Sequence, residues 1–337
     1  MSTTADLERL AEDLAAEARP DRAGTGVSPH RTALRRLRSD PVAVVSGAVV
    51  LVLVLLGLLA PLVTSLWGIH ATVGHPDAPR PSEVLLFDGY PAVGPPYEPF
   101  TWQHPLGLAP RTGVDNLATL LYGLRTSLGV AVVATVLTTL VGVGVGLVAG
   151  FVGGRTDRVV SFVIDLFLSF PFLLGALALA PIVVSRFSTD PDGLALAQVV
   201  ALVAVLVTFG WMGLARLIRG QVLSLREREF VQAAVVMGLS TRHILLKELL
   251  PNLVAPIVVA VSLSVPAFVA AEAGLSYLGI GLTGVPSLGQ TINQAVDSFE
   301  RYPLYLWAPV LTVMVLVLAL NLLGDAVRDA FDPRTRR

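Results

Sequence analysis

Four stretches of this chain run for twenty residues or more without a charged side chain: 41–66, 126–154, 194–215 and 304–324. Two more, 159–184 and 253–285, are each interrupted once, by Asp165 and by Glu272. A helix needs about 20 apolar residues to cross the hydrocarbon of a bilayer, and every one of these stretches is long enough. Alternation with a period of two, the mark of a membrane barrel, is absent. The reading is an all-α polytopic membrane protein with six transmembrane helices. About forty residues precede the first span, which is also too long for the apolar region of a signal peptide.

Composition agrees and removes other classes. Of 337 residues 54% are hydrophobic and only 15% charged, against roughly a quarter in soluble domains. A net charge of -1 gives no basic excess for nucleic acid. The chain has no cysteine, so disulfides, thiolate chemistry and Cys-ligated zinc are excluded. Its one lysine, Lys247, follows Leu245 and Leu246, so no glycine-rich phosphate loop can exist. HExxH and GxSxG are also absent. The chain is read as non-catalytic, with no cofactor of its own, and any ATP and Mg would be held by other chains.

Of the 24 lysines and arginines, 19 lie in residues 1–40, beside Arg155 and Arg158, in 216–252 and in the tail. The other loops hold five: Arg80, Arg111, Arg125, Arg186 and Arg301. This asymmetry places both termini and the 216–252 segment on the cytoplasmic side of the membrane. The chain divides into a tail (1–40), a first span (41–66) and an extracytoplasmic loop with lead-in (67–125). A core of five spans (126–324) and a C-terminal tail (325–337) follow. Leu7, Leu10 and Leu14 share one helical face, which fits a short amphipathic helix or a frayed tail. The loop is rich in proline and contains His70 and His75, with His104 just beyond. Their spacing matches no known ligand set, and no metal is assigned.

Within the spans, Gly142, Gly146, Gly150 and Gly154 recur every fourth residue and stack on one face, where another backbone can approach closely. That serves ordinary helix packing or a packing face in a moving bundle. Asp165 sits about two turns inside the third span and Pro171 should bend that helix. An intramembrane carboxylate faces protein or water; a buried, hydrogen-bonded structural role and a proton relay both fit. Glu272, nineteen residues into the fifth span, should reach the outer interface and anchor the loop beyond.

The most informative stretch is 226–252, REREFVQAAVVMGLSTRHILLKELLPN. Helix signal runs to Met237, Gly238 ends that helix, Ser240 or Thr241 caps a second, and Pro251 stops it. The apolar residues Phe230, Ala233, Ala234, Met237, Ile244, Leu245 and Leu249 form stripes on a polar loop, which predicts a partner or a membrane surface.

The pattern QAA-x3-G-x12-P in this segment resembles the EAA loop of importer-type ABC permeases. The matching positions are Gln232, Ala233, Ala234, Gly238, Leu239, Ile244, Leu250, Pro251 and Asn252, with Gln232 in place of the usual Glu and Glu248 where His is frequent. Further stretches resemble the C-type permease subunit of dipeptide, oligopeptide and nickel importers. These are HPLG at 104–107, LLYGLRTSLGV at 120–130, DLFLSFP at 165–171, AEAGLSYLGIGL at 271–282, PSLG at 286–289 and NLLGDAVRDAFDPR at 321–334. The GTD and GRD pieces usual there are degraded to 107–109 and 113–115, and Leu288 replaces a common Trp.

This resemblance implies a type I ABC importer permease fold with a cytoplasmic coupling helix–turn–helix. It implies a second homologous permease subunit, two ATPases docked on residues 226–252, an extracytoplasmic substrate-binding protein and surrounding lipid. The substrate would be a di- or oligopeptide, with nickel or another small solute as the alternative. A secondary transporter would need several midplane charges or inverted repeats, and a membrane-anchored interaction protein would not need six spans.

Overall fold

The computed structural model describes residues 29–72, 75–94, 99–185, 191–280 and 285–331. The proposed amphipathic face at Leu7, Leu10 and Leu14, Arg186 and the last six residues lie outside them. A spanning chain must satisfy every backbone polar group internally, and here helices do so; among the described residues no strand forms beyond two isolated bridges.

Helix α1 (Pro29–Ser39) leads into the first span, α2 (Pro41–Leu58) continued by α3 (Ala60–Trp67). Asp40 starts it: its carboxylate accepts from Val42 N–H at 2.9 Å, and Pro41 occupies the first turn, where a missing N–H costs nothing. After a short helix in the connecting loop, α4 (Pro81–Val84), the long α5 (Asn116–Val152) crosses. It begins ten residues before the predicted 126, because the Asp115 carboxylate caps Ala118 N–H at 2.8 Å.

The third crossing is a broken pair, α6 (Gly154–Ser169) and α7 (Phe172–Ser185), with an 87° bend at the break. Pro171 is the cause. A residue before proline is driven out of the helical region, and Phe170 has φ −87° and ψ 128°. Helix α8 (Pro191–Leu225) returns. Then come α9 (Glu229–Val236), α10 (Thr241–His243), the fifth crossing α11 (Val254–Leu275), the short α12 (Leu288–Val296) and the last crossing α13 (Pro303–Phe331). By length and composition five helices can cross a membrane, and the bent pair makes a sixth crossing.

Two faces result. The tail face gathers Asp40, the α5–α6 turn, residues 226–253 and the end of α13. The loop face gathers the described parts of the first loop (68–72, 75–94 and 99–115), α12 and the start of α13.

Helix α5 forms the axis of the bundle. It packs parallel to α8, with Val130 and Ala134 against Leu202, Val205 and Leu206 near the loop face and Gly146 and Gly150 against Ala215 and Val222 toward the tail face. On another side, Leu124 and Ala131 meet Val269 of α11 and Leu316 of α13. Exposed apolar side chains are common on α2 and α13, such as Val45, Leu51, Met314 and Leu318, as expected where lipid rather than water is the solvent.

Candidate functional site

Residues 226–253 close the tail face. Helix α9 ends where Gly238 takes φ 72°. Gly238 N–H donates to Val235 O at 3.0 Å and Leu239 N–H to Ala234 O at 3.1 Å, the paired bonds of a glycine-terminated helix. Ser240 then caps the next turn, its Oγ accepting from His243 N–H at 3.3 Å. The second arm does not stop at Pro251. It widens to a π-helix over Ile244–Leu249, tightens to a 3-10 turn over Leu250–Leu253, and runs into α11. The changes of register accommodate a proline that has no N–H to donate. The hairpin is therefore joined rigidly to the fifth crossing.

Its apolar residues divide between two faces. Val231, Ala234, Ile244, Leu249 and Leu253 are buried against Leu147 of α5 and Ile218 and Val222 of α8, with Leu239 and Leu250 partly buried beside them. Sequence reading placed Ala234, Ile244 and Leu249 on the partner-facing stripe. They bolt the hairpin to its own bundle instead, because α8 and α5 end directly behind it. The outward face holds Phe230, Gln232, Ala233, Val236 (87% exposed), Met237 (70%) and Leu246, with Pro251 at its edge.

Behind the hairpin, α5 and α8 are in near-backbone contact. A Cβ on Gly142 would lie 2.9 Å from Trp211 O. On Gly146 it would lie 2.7 Å from Ala215 O, and on Gly150 2.8 Å from Val222 Cβ. Gly154 does not belong to this stripe. The helix ends at Val152, and Gly153 and Gly154 form a left-handed turn with φ 67° and 59°, open around Gly154.

Two ion pairs join α6 to α8. Asp157 receives both Nε and Nη2 of Arg219, the second at 2.9 Å, and both side chains are partly buried. Asp165 pairs with Arg216. It is not buried in the chain: 66% of its side chain and 54% of that of Arg216 are exposed. The carboxylate is satisfied by a helical neighbour at the rim of the bundle, which sequence could not show without the pairing of α6 and α8.

Glu272, by contrast, is fully buried near the loop face. Ser276 Oγ donates to its Oε1 at 2.8 Å, and the hydroxyls of Ser127 and Ser287 face the same carboxyl. Ser287 caps α12, and Ser127 Oγ accepts from Leu288 N–H at 3.3 Å. The carboxyl thus sits where α5, α11 and α12 meet.

The loop face has an anchor that sequence reading missed. Tyr302 is 1% exposed and lies over Gly94 and Gly107, where a Cβ would collide with its hydroxyl. That hydroxyl donates to Val93 O at 3.2 Å. Burial, foremost, pushes its pKa up to about 12. His104 Nδ1 lies 2.7 Å from the buried Asp115 carboxylate, which explains the HPLG stretch as structural. His70 groups with His75 and Asp77 rather than with His104.

A helical bundle with six crossings and a helical hairpin built into its tail face defines a multi-pass membrane protein. Residues 142–337 match the family described as binding-protein-dependent transport system inner membrane component, and the chain belongs to that family of ABC importer permeases. Residues 28–71 match the N-terminal transmembrane domain of oligopeptide transport permease C.

Among similar proteins, the oligopeptide transport system permease protein OppC of Bacillus subtilis (strain 168) is 30% identical over 308 residues, 91% of this chain and 90% of that one. OppC of Mycobacterium tuberculosis (strain ATCC 25618 / H37Rv) is 38% identical over 66% of this chain and 74% of its own. The dipeptide transport system permease protein DppC of Lactococcus lactis subsp. cremoris (strain MG1363) is 34% identical over 77% and 71%. In three dimensions a chain of the inward-facing MetNI methionine ABC transporter superposes with a TM-score of 0.51 at 20% identity, over 64% of this chain and 96% of that one. This likeness shows the fold. Family membership makes the chain the non-catalytic membrane component of its transporter.

Proposed function

We propose that this chain is one of two homologous permease subunits in an ATP-driven importer of di- or oligopeptides in a bacterial inner membrane. The observation that carries the substrate class is the similarity to OppC of Bacillus subtilis over nine tenths of both chains. Both termini and the hairpin face the cytoplasm, by the basic asymmetry. Two ATPase subunits bind ATP and Mg and dock on the outward face of α9, through Gln232, Ala233, Val236 and Met237. Ala234, Gly238, Leu239, Ile244, Leu250 and Pro251 shape and hold that face. Because the hairpin continues into α11, a push on it moves the fifth crossing as one piece, and Glu272 carries that motion to α12. A binding protein delivers substrate to the loop face.

The test is growth on defined peptides as sole source of an essential amino acid, with and without the gene, beside co-purification of two nucleotide-binding subunits. Growth and peptide uptake unchanged by deletion, while nickel or another solute fails to accumulate, would replace the peptide reading. Failure to co-purify any ATPase would remove the coupling role. A chain without cysteine makes topology direct to measure. A cysteine at Ser82 should react with an impermeant reagent from outside, and one at Ser224 should not.

A further inference from the structure

The loop face brings together three metal-ligating side chains that the permease function does not use. His70, His75 and Asp77 each offer one donor atom, and the three atoms lie within 4.8 Å of one another. The imidazole rings of His70 and His75 stack with centroids 3.9 Å apart and planes 12° from parallel. His75 Nδ1 lies 3.9 Å from Asp77 Oδ2 and accepts a long bond from Asp77 N–H at 3.3 Å. Its lone pair therefore points at the Asp77 backbone N–H, with the Asp77 carboxylate beside it.

The fold fixes one side of this group. Helix α3 ends at Gly68, in the left-handed region at φ 68°. Ile69 is 2% exposed and plugs the bundle. His70 O accepts from Asp115 N–H at 3.4 Å, and Asp115 itself caps α5 and holds His104. His70 is thus tied to the top of the second crossing, while Asp77 stands 83% exposed and is free to close on an ion.

We propose that His70, His75 and Asp77 form a binding site for a divalent transition-metal cation of the zinc class. Tetrahedral zinc holds nitrogen and oxygen ligands at about 2.0–2.2 Å, which separates the ligand atoms by roughly 3.3 Å. The 3.9 Å between His75 Nδ1 and Asp77 Oδ2 is close to that already. Binding takes about 1.5 Å of further closure at most, a turn of one imidazole out of the stack so that both in-plane lone pairs meet at the ion, and release of the Asp77 N–H from His75 Nδ1. Two imidazoles and one carboxylate are a borderline donor set, suited to zinc, nickel or copper and not to calcium or magnesium. Three protein ligands leave a fourth position to water. A bound ion clips the proline-rich loop to the end of the first crossing, and protons compete with it for the imidazole nitrogens.

The test uses the assembled transporter purified in detergent, titrated with Zn2+ alone by equilibrium dialysis in a chelator-buffered medium. The wild-type complex should bind one more zinc per copy of this chain than the His75→Ala or His70→Ala complex. Asp77→Asn should bind it at least about tenfold more weakly. His243→Ala, on the tail face, should bind as wild type. Co2+ in place of zinc should give the visible absorption of a tetrahedral site in the wild type and lose it in His75→Ala. Transport of substrate by His75→Asn at the wild-type rate in metal-free medium would show that the fold survives substitution. Equal zinc stoichiometry and affinity in wild type, His70→Ala and His75→Ala would overturn the proposal.

Discussion

Gly146→Ala should destabilise the bundle, whereas Gly144→Ala, two residues away on the same helix, should not. The added methyl at 146 would begin 2.7 Å from Ala215 O and 2.8 Å from Ile218 Cβ. Ordinary contacts lie near 3.5–4.0 Å, so α8 must withdraw by roughly 1 Å along this seam. One of the two colliding atoms is backbone and cannot rotate away. Overpacking of this kind costs about 1–3 kcal/mol. Replacing a helical glycine by alanine returns about 0.5–1 kcal/mol through the unfolded chain. The net effect at 146 is a loss of about 0–2.5 kcal/mol, the difference of those two terms. At Gly144 nothing lies within 4 Å, so only the gain remains and the sign reverses. Thermal unfolding of the purified permease, followed by tryptophan fluorescence, should show a lowered midpoint for Gly146→Ala and an unchanged or raised one for Gly144→Ala. Gly146→Val should be worse, and transport should fall in the same order. If the two alanine variants unfold alike, the α5–α8 seam is looser than the structure has it and the reasoning fails.

The hairpin gives a second contrast. Ala234→Asp buries a carboxylate among Val231, Ile244 and Leu249 and should cost several kcal/mol, seen as poor recovery of folded permease. Ala233→Asp on the outward face should fold normally and lower substrate-stimulated ATPase activity of the reconstituted complex. Full coupling in Ala233→Asp would deny that face its role. At the third crossing, Asp165→Asn keeps an oxygen that can still accept from Arg216 and should change stability less than Asp157→Asn. Asp157→Asn strips a partly buried Arg219 of its partner and should lower the unfolding midpoint measurably; the reverse order would refute the burial argument. Tyr302 is neutral when folded, and its raised pKa means that its contribution is complete below the ordinary tyrosine value near 10 and is lost as pH rises toward about 12. Alkaline unfolding should therefore steepen in that window in the wild type and flatten in Tyr302→Phe, as read by circular dichroism across a pH series.

Runs of apolar residues longer than a bilayer is thick determined, without any coordinates, that this chain crosses a membrane as helices, because no other solvent accepts them. The spacing of alanines, Gly238 and Pro251 likewise marked the hairpin, since a left-handed glycine between two short helices is a local requirement. Pro171 announced its bend for the same local reason. The tertiary structure decided which side each residue faces. Ala233 and Ala234 are neighbours in sequence and opposite in exposure, because only Ala234 points at the ends of α5 and α8. Asp165 and Glu272 each interrupt an apolar run once and look alike on that pattern; one is an exposed pair with Arg216 and the other is enclosed by three serines from three segments. Gly154 keeps the four-residue spacing and leaves the stripe, since the helix has ended two residues earlier. His70 and Tyr302 showed no periodicity at all, as their partners come from loops whose packing is a property of distance in space and not of order along the chain.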